Sequence, residues 1–112
     1  MNLLFICSMN QWRSPTAEKL FHNLNGISTQ SAGTSTKARQ KVSIKDIIWS
    51  DIIFVMENKH KQKIKADFRQ ELDNKSLHVL DIPDEYKFMD ADLVLLLEQI
   101  VEPIILEELG KL

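Results

Sequence analysis

Short apolar runs recur along the chain, separated by longer segments in which apolar residues return at helical spacing. Residues 3–6 form a continuous apolar run, and residues 52–55 form another. Continuous runs of this length are typical of strands that are buried on both faces of a parallel sheet. A weaker alternation and a fourth short run complete the set. The pattern therefore predicts four strands, at residues 3–6, 27–32, 51–56 and 77–80.

The segments between these runs carry the start and stop signals of helices. Ser14-Pro15 suits a helix start, because serine caps a first turn and proline loses no hydrogen bond there. Asn25-Gly26 suits the end of the same helix. Ser43 and Asp46 have the spacing of a capping box, and Asp90 suits the cap of a long final helix. The sequence predicts helices that follow Ser14, Ser43 and Asp90, and one more over residues 58–72.

Strands that alternate with helices indicate an α/β fold with a parallel sheet and helices on both faces. We expect a single domain over residues 1–112 with a four-stranded sheet. Ligands of such folds bind beyond the carboxyl ends of the strands. Two segments are expected at that edge: the loop over residues 7–14, after the first strand, and the acidic loop Asp81-Ile82-Pro83-Asp84-Glu85-Tyr86, after the fourth.

Charge and cysteine content exclude several classes of protein. The 112 residues carry a formal net charge of −2, so neither nucleic acid nor an anionic membrane is expected as a partner. A single cysteine cannot form an internal disulfide, and the first apolar run is too short for a signal peptide, so a reducing, cytoplasmic setting is expected.

Two further patterns are read as structural. The apolar stretch over residues 93–109 is interrupted by polar side chains, which is typical of a core helix and not of a membrane span; these are Glu98, Gln99, Glu102, Glu107 and Glu108. His22, His60 and His78 are scattered and lack the spacing of metal ligands. We therefore assign them no role, and no metal or other cofactor is expected.

The loop Cys7-Ser8-Met9-Asn10-Gln11-Trp12-Arg13-Ser14 has the composition of an anion site. Wrapped around an anion, it would present successive backbone N–H groups, and the helix behind it would add its positive end. Arg13 supplies a planar fork that fits two phosphate oxygens. Cys7 would lie at the floor, where cations and a helix N-terminus favour the nucleophilic thiolate. The first strand is therefore expected to lead into a phosphate-binding loop whose cysteine attacks phosphorus.

With its neighbours, this loop resembles the low-molecular-weight protein tyrosine phosphatase family, as a short bacterial-type member. The matching segments are the N-terminal loop with Arg13-Ser14-Pro15, Ser31-Ala32-Gly33-Thr34, Ala38-Arg39-Gln40 leading into residues 51–57, and the acidic loop before the final helix. The resemblance implies hydrolysis of aryl phosphate monoesters, chiefly protein phosphotyrosine, through a phosphocysteine and without metal. The expected partner is therefore a phosphate-bearing substrate, either a phosphotyrosine protein or a small aryl phosphate.

The resemblance also implies roles by position. Cys7 would be the nucleophile and Arg13 the phosphate clamp. Asn10 would brace the loop, and Ser14 would hydrogen-bond the cysteine sulfur. The substrate-binding set would comprise the loop residues Ser8, Met9, Asn10, Gln11, Trp12 and Ser14, together with Tyr86 after the acidic loop.

Some positions depart from the family pattern. Met9 stands where the family usually has glycine, and Trp12 stands where many members carry a second cysteine. The chain is also shorter between Thr34 and Ala38, where longer members have a helix and a loop of the cleft wall. Trp12 would either line the cleft rim or simply pack, and the same two readings apply to Tyr86.

Two aspartates compete for the role of general acid. Asp81 directly follows the fourth strand, and family members place the acid where the strand leaves the sheet. Asp84 is favoured instead if Tyr86 is the aromatic residue that follows the acid in the family. We prefer Asp81, because a strand end is held more firmly than a loop and a proton donor must be accurately positioned.

Three other functions fit part of the pattern. A cysteine phosphoryl carrier of a sugar phosphotransferase system has a similar strand, loop and helix, but it lacks the arginine and must keep its phosphocysteine. An arsenate reductase of the phosphatase-like kind needs further cysteines. A non-catalytic relative that binds phosphate or a phosphoprotein would retain Cys7 and Arg13 for binding alone, and the sequence leaves that alternative open.

Overall fold

The computed structural model describes residues 1–22, 24 and 26–110. Strands and helices alternate throughout: β1 (Asn2–Cys7), α1 (Arg13–Phe21), β2 (Ser28–Gly33), α2 (Ile44–Trp49), β3 (Ile52–Val55), α3 (Asn58–Asp67), β4 (Ser76–Val79) and α4 (Ala91–Leu109). Of the predicted stop of the first helix, Asn25 lies outside the described residues, while Gly26 has a φ of 78°, which suits glycine.

The four strands form one parallel sheet in the order β2-β1-β3-β4. The predicted α/β fold is therefore confirmed, with β1 inside the sheet between β2 and β3. At its carboxyl end β1 pairs Cys7 with Gly33 of β2, and Ile6 with Val55 of β3. The chain segments that leave β1, β3 and β4 consequently emerge at one edge of the sheet.

Both faces of the sheet are covered by helices, which explains the unbroken apolar runs. On one face, helices α1 and α4 cover a cluster in which Phe5 stacks on Phe21 and on Phe54, with ring centroids 5.8 and 5.1 Å apart. On the other face, α2 and α3 contribute Ile47 and Ile64 to a second cluster. Fully burying one such side chain stabilises the fold by roughly 1.5–3 kcal/mol, so these clusters fix the sheet that carries the loops.

Two of the predicted caps are confirmed and one is wrong. Ser43 and Asp46 form the capping box of α2, and the Asp90 carboxylate accepts hydrogen bonds from the first backbone N–H groups of α4. Helix α1, however, begins at Arg13 with Trp12 at its cap position and no side-chain cap. Ser14 lies inside the helix, buried, where its hydroxyl is available to the neighbouring loop.

Helices α3 and α4 can be compared with the helices that the sequence predicts. Helix α3 ends at Asp67, short of the predicted residue 72, although Phe68 and Leu72 still pack on the core. Helix α4 buries Leu93 and Leu97 among other residues, as expected for a core helix. Within the described part of the chain, no helix combines the length and the apolar character that a membrane crossing requires.

Gly33 allows β2 to pass close to the Cys7 loop. A Cβ atom at this position would lie 2.4 Å from the backbone oxygen of Ser8 and 2.6 Å from the Cβ of Ala38. We expect Gly33→Ala to lower the free energy of unfolding by about 2–3 kcal/mol, because backbone atoms on one side cannot give way. Urea denaturation measures the change.

Gly110→Ala is the matched control for that substitution. A Cβ atom at position 110 would have its nearest neighbour at 3.4 Å, and the backbone φ is −66°, which any residue adopts. Its free energy of unfolding should change by less than about 0.5 kcal/mol. Equal effects of the two substitutions would contradict the steric argument at Gly33.

Candidate active site

A small pocket of about 40 Å³ lies at the carboxyl end of β1. Its wall is formed by the loop after β1, by the start of α1 and by the acidic loop, through Cys7, Met9, Gln11, Trp12, Arg13 and Asp84. Cys7 is only 3% exposed. The pocket therefore brings the predicted nucleophile, the predicted clamp and one of the two candidate acids to the same place.

The sulfur of Cys7 is held by two groups of its own loop and helix. The Ser14 Oγ lies 2.9 Å from the Cys7 Sγ, and the backbone N–H of Asn10 points to the same sulfur at an N···S distance of 3.3 Å. The Asn10 side-chain amide donates to the Ser14 oxygen at 2.9 Å, so the Ser14 hydroxyl has its own proton to donate. Its two acceptors are the Cys7 sulfur at 2.9 Å and the Ala32 carbonyl at 3.4 Å, of which the sulfur is the nearer. Donors of this kind stabilise a thiolate.

Asn10 fixes the shape of the loop from inside. It is fully buried with a φ of 55°, a left-handed conformation that asparagine tolerates better than most residues. Its amide also donates to the Ser31 hydroxyl of β2 at 2.9 Å, and that hydroxyl donates to Glu18. Within the described part of the chain the Asn10 Oδ1 has no hydrogen-bond partner.

The segment after β2 holds the same loop from outside. The Arg39 backbone N–H donates to the Met9 carbonyl, and the Arg39 Nε donates to the Asn10 carbonyl, both at 2.9 Å. The Ser35 N–H donates to the Ser8 carbonyl at 3.0 Å. With three of its carbonyls satisfied from outside, the loop can turn its N–H groups towards the pocket.

Arg13 is buried, with 2% of its side chain exposed, and it joins three loops. Its Nη1 donates to the Glu57 carboxylate at 2.6 Å and to the Ile82 carbonyl at 2.8 Å. Burial acts to raise the pKa of Glu57, but the hydrogen bond and the charge of Arg13 outweigh it, so this pKa lies below its usual value. Sequence reasoning gave Glu57 no role, although it follows β3 within a segment that carries the family resemblance.

His60 is a second residue that sequence reasoning missed. It is 1% exposed; its Nδ1 accepts a hydrogen bond from the Glu57 backbone N–H at 3.0 Å, and its Nε2 lies 2.8 Å from the Ser8 hydroxyl. The proton is therefore on Nε2, which donates to Ser8. Burial and the charge of Arg13 lower the pKa of His60 to about 4, so the ring is neutral at pH 7. The sequence signal that could have pointed to His60 is its position three residues after Glu57, which is the spacing of a capping box at the start of α3.

The structure separates the two candidate acids. Asp84 lines the pocket, and its Oδ1 lies 3.7 Å from the Arg13 Nε. Asp81 has a φ of 55° and lines a different depression, together with Glu57 and with Asn58 and Lys59 of α3. The preference for Asp81 is therefore not supported by this arrangement. The strand ends at Val79, Arg13 binds the Ile82 carbonyl, and the next residues bring Asp84 into the pocket that also contains Cys7.

Of the remaining residues that were predicted to bind substrate, some line the pocket and others contact residues outside it. Met9, Gln11 and Trp12 line the pocket, and Trp12 is 42% exposed at its rim. Ser8 contacts His60 and does not line the pocket. Tyr86 is half-buried and packs against the core cluster on the α1 and α4 side of the sheet, which agrees with its packing reading.

The comparison with solved structures identifies the architecture. No family model and no curated protein matches the sequence. Among solved structures, the low-molecular-weight phosphotyrosine phosphatase VcLMWPTP-2 from Vibrio cholerae O395 is 22% identical, with a TM-score of 0.79 over 99% of this chain and 98% of that chain. The arginine phosphatase YwlE from Geobacillus stearothermophilus is also 22% identical, with a TM-score of 0.75 over 97% and 96% of the two chains.

A third neighbour is a cysteine-to-serine variant of a YwlE arginine phosphatase with a phosphorylated active-site serine. It is 21% identical, with a TM-score of 0.70 over 93% of this chain and 95% of that chain. Identities this low establish architecture and leave activity to the site itself. The chain therefore has the fold of the low-molecular-weight protein tyrosine phosphatases.

Proposed function

We propose that this chain is a cysteine-dependent phosphatase that hydrolyses phosphate monoesters through a phosphocysteine intermediate. The observation that carries the proposal is the pocket in which Cys7, Arg13 and Asp84 meet. Phosphate binding alone would need the arginine and the loop, but it would not need a thiol with two hydrogen-bond donors or a carboxyl group at the mouth. The structural neighbour with a phosphorylated serine in place of cysteine adds support for a covalent step.

In the proposed first step, the Cys7 thiolate attacks phosphorus in line with the leaving group. The S–P bond forms as the P–O bond to the leaving group breaks, and Asp84 gives its proton to the departing oxygen. Arg13 and the loop N–H groups bind the three equatorial oxygens, on which charge accumulates. The Nη1 of Arg13 is engaged by Glu57 and Ile82, so the rest of the guanidinium faces the substrate.

The second step returns the enzyme to its starting state. Water attacks the phosphorus of the phosphocysteine, and Asp84, now a carboxylate, takes a proton from that water. The S–P bond breaks and inorganic phosphate leaves. Ser14 and the Asn10 N–H receive the sulfur again as a thiolate, which makes it a better leaving group.

His60 acts in this proposal as a positioning residue. Its two hydrogen bonds join the start of α3 to Ser8, directly after the nucleophile. A neutral ring serves this purpose better than a charged one, because a protonated His60 would lose its acceptor for the Glu57 N–H and would repel Arg13. The low pKa of His60 keeps that support intact throughout the neutral range.

We propose protein phosphotyrosine as the substrate class, because the exposed ring of Trp12 at the rim offers a stacking face to an aryl leaving group. Phosphoarginine is the second candidate, a phosphoramidate in which the P–N bond would break and Asp84 would give its proton to the departing nitrogen. Arginine phosphatases are among the structural neighbours, and the half-exposed Asp84 carboxylate is placed to pair with a departing guanidinium. The ratio of kcat/KM for two peptides that differ only in the phosphorylated residue decides between them.

The nucleophile assignment predicts the behaviour of Cys7→Ser. Steady-state turnover of p-nitrophenyl phosphate should fall by at least about a thousandfold, because a serine hydroxyl is a far poorer nucleophile and leaving group at neutral pH. Binding of vanadate or phosphate should persist, since Arg13 and the loop N–H groups remain. Kinetics and equilibrium titration measure the two properties. Sustained turnover by the serine variant would contradict the assignment.

Asp84→Asn and Asp81→Asn form a matched pair that tests the general acid. A tyrosine leaving group, with a pKa of about 10, needs a proton as the P–O bond breaks, whereas a nitrophenol hardly does. Asp84→Asn should therefore slow phosphotyrosine at least about tenfold more than p-nitrophenyl phosphate, and Asp81→Asn should slow both equally and weakly. The reverse pattern would restore Asp81 as the acid.

The low pKa of His60 predicts a pH-dependent contribution to stability. Histidine in the unfolded chain takes up a proton below about pH 6.5, but folded His60 does so only near pH 4. The contribution is therefore present above pH 6.5 and is lost as the pH falls towards 4. In His60→Asn, whose side-chain oxygen can still accept from the Glu57 N–H, this loss should be smaller by up to about 3 kcal/mol.

Urea denaturation at pH 7, 5 and 4 measures that difference. His22→Asn is the control, because it replaces an exposed histidine that takes no part in the hydrogen bonds of His60, and its variant should keep the stability loss that His60 causes. Parallel pH dependences for the wild type and His60→Asn would show that folded His60 titrates like a free histidine.

A further inference from the structure

A groove of about 530 Å³ opens beside the active-site pocket and is bounded by the same two loops. Gln11 of the Cys7 loop lines both the pocket and the groove. Phe88, four residues after Asp84 in the segment that joins the acidic loop to α4, also lines the groove and is 45% exposed. Pro15 and Lys19 of α1 also line the groove, so it continues the pocket along the surface of that helix.

Two cations, Lys19 and Arg39, and one carboxylate, Glu18, line this groove, so positive charge is in excess by one. Lys19 lies with its Nζ 5.7 Å from the centroid of the Phe88 ring, and Arg39 is held at the groove by its bond to the Asn10 carbonyl. Over residues 1–22, 24 and 26–110, neither cation takes part in an ion pair. The Glu18 carboxylate also accepts a hydrogen bond from the Ser31 hydroxyl, which holds one of its oxygens towards β2.

We propose that this groove binds the polypeptide that flanks the phosphorylated residue of a protein substrate, and that it selects an acidic side chain close to that residue. A phosphoryl group in the pocket brings its own chain to the mouth, where Gln11 marks the beginning of the groove. An Asp or Glu side chain there meets Lys19 and Arg39, while apolar atoms of the chain pack on Phe88 and Pro15. The inference rests on the proposed function, which supplies the phosphorylated residue.

This arrangement separates recognition from chemistry. Lys19 and Phe88 do not line the pocket in which the sulfur lies, so they act on the bound polypeptide and not on the reacting atoms. Their contribution should appear in the affinity for a peptide and in kcat/KM for that peptide. It should be absent with p-nitrophenyl phosphate, which is too small to reach them.

The test uses the Cys7→Ser chain, which binds substrate without turnover, and fluorescent phosphotyrosine peptides that differ only in their flanking residues. Fluorescence anisotropy should give a dissociation constant about three- to tenfold lower for an aspartate-flanked peptide than for a lysine-flanked one at low salt. The preference should shrink towards unity at 0.5 M salt, because exposed charges are then screened. If phosphotyrosine peptides do not bind, the same series is made with phosphoarginine.

A charge reversal provides the sharper comparison. Lys19→Glu in the same background should weaken the aspartate-flanked peptide and strengthen the lysine-flanked one, a reversal that a general loss of structure cannot produce. Lys45→Glu is the matched control, since Lys45 is exposed on α2, on the opposite side of the sheet, and it should leave both affinities unchanged. Phe88→Ala should weaken both peptides by a similar factor.

The outcomes distinguish this inference from the proposed function. Turnover of p-nitrophenyl phosphate by the wild type tests the phosphatase proposal alone. Equal affinities for all flanking sequences, or identical effects of Lys19→Glu and Lys45→Glu, would overturn the groove assignment even if the enzyme is active. Absence of binding by both peptide series would overturn it as well. A dimer that Phe88→Ala dissociates would mean that a second copy of the chain occupies the groove, and would also overturn it.

Discussion

The buried ion pair between Arg13 and Glu57 is the constraint on which the rest of the site depends. A guanidinium that is 2% exposed is costly to bury unless its charge and its N–H groups are satisfied. Glu57, at the end of β3, supplies the charge, and the Ile82 carbonyl, after β4, supplies a second acceptor. Satisfying one arginine therefore draws the carboxyl ends of three strands into a single arrangement, with Cys7 at its floor.

Neutral polar side chains around this ion pair form hydrogen bonds to the Cys7 sulfur and to the loop that carries it. Asn10, with its positive φ, donates to Ser14 and to Ser31, and Ser14 in turn contacts Cys7. His60 supports the other side of the loop through Ser8. None of these groups needs to move for a thiolate to form, so the reorganisation that water would require is already complete in the folded state. This preorganisation connects the backbone geometry of one loop with the chemistry that we propose for it.

The segment between β4 and α4, which contains the acidic loop, is attached to the rest of the molecule at two points. One end is fixed where Arg13 binds the Ile82 carbonyl, and the other where the Met89 N–H donates to the Thr16 hydroxyl of α1. Between these points the chain passes over the pocket with Asp84 and over the groove with Phe88. The proposed proton donor and the proposed recognition residue therefore lie on one segment, four residues apart.

The sequence by itself determined the four strands, the helices between them, the parallel α/β fold and the pairing of Cys7 with Arg13 in one loop. All of these depend on signals within about fifteen residues of each other, namely apolar periodicity, caps and the spacing of a motif. It did not determine which aspartate lines the Cys7 pocket, or that Glu57 and His60 support the loop. Those features depend on partners 44 residues apart for Arg13 and Glu57, 69 for Arg13 and Ile82, and 52 for Ser8 and His60. Only the assembly of the sheet brings such residues together. The direction in which a loop leaves its strand is decided by long-range hydrogen bonds, and these produce no periodic pattern in the sequence.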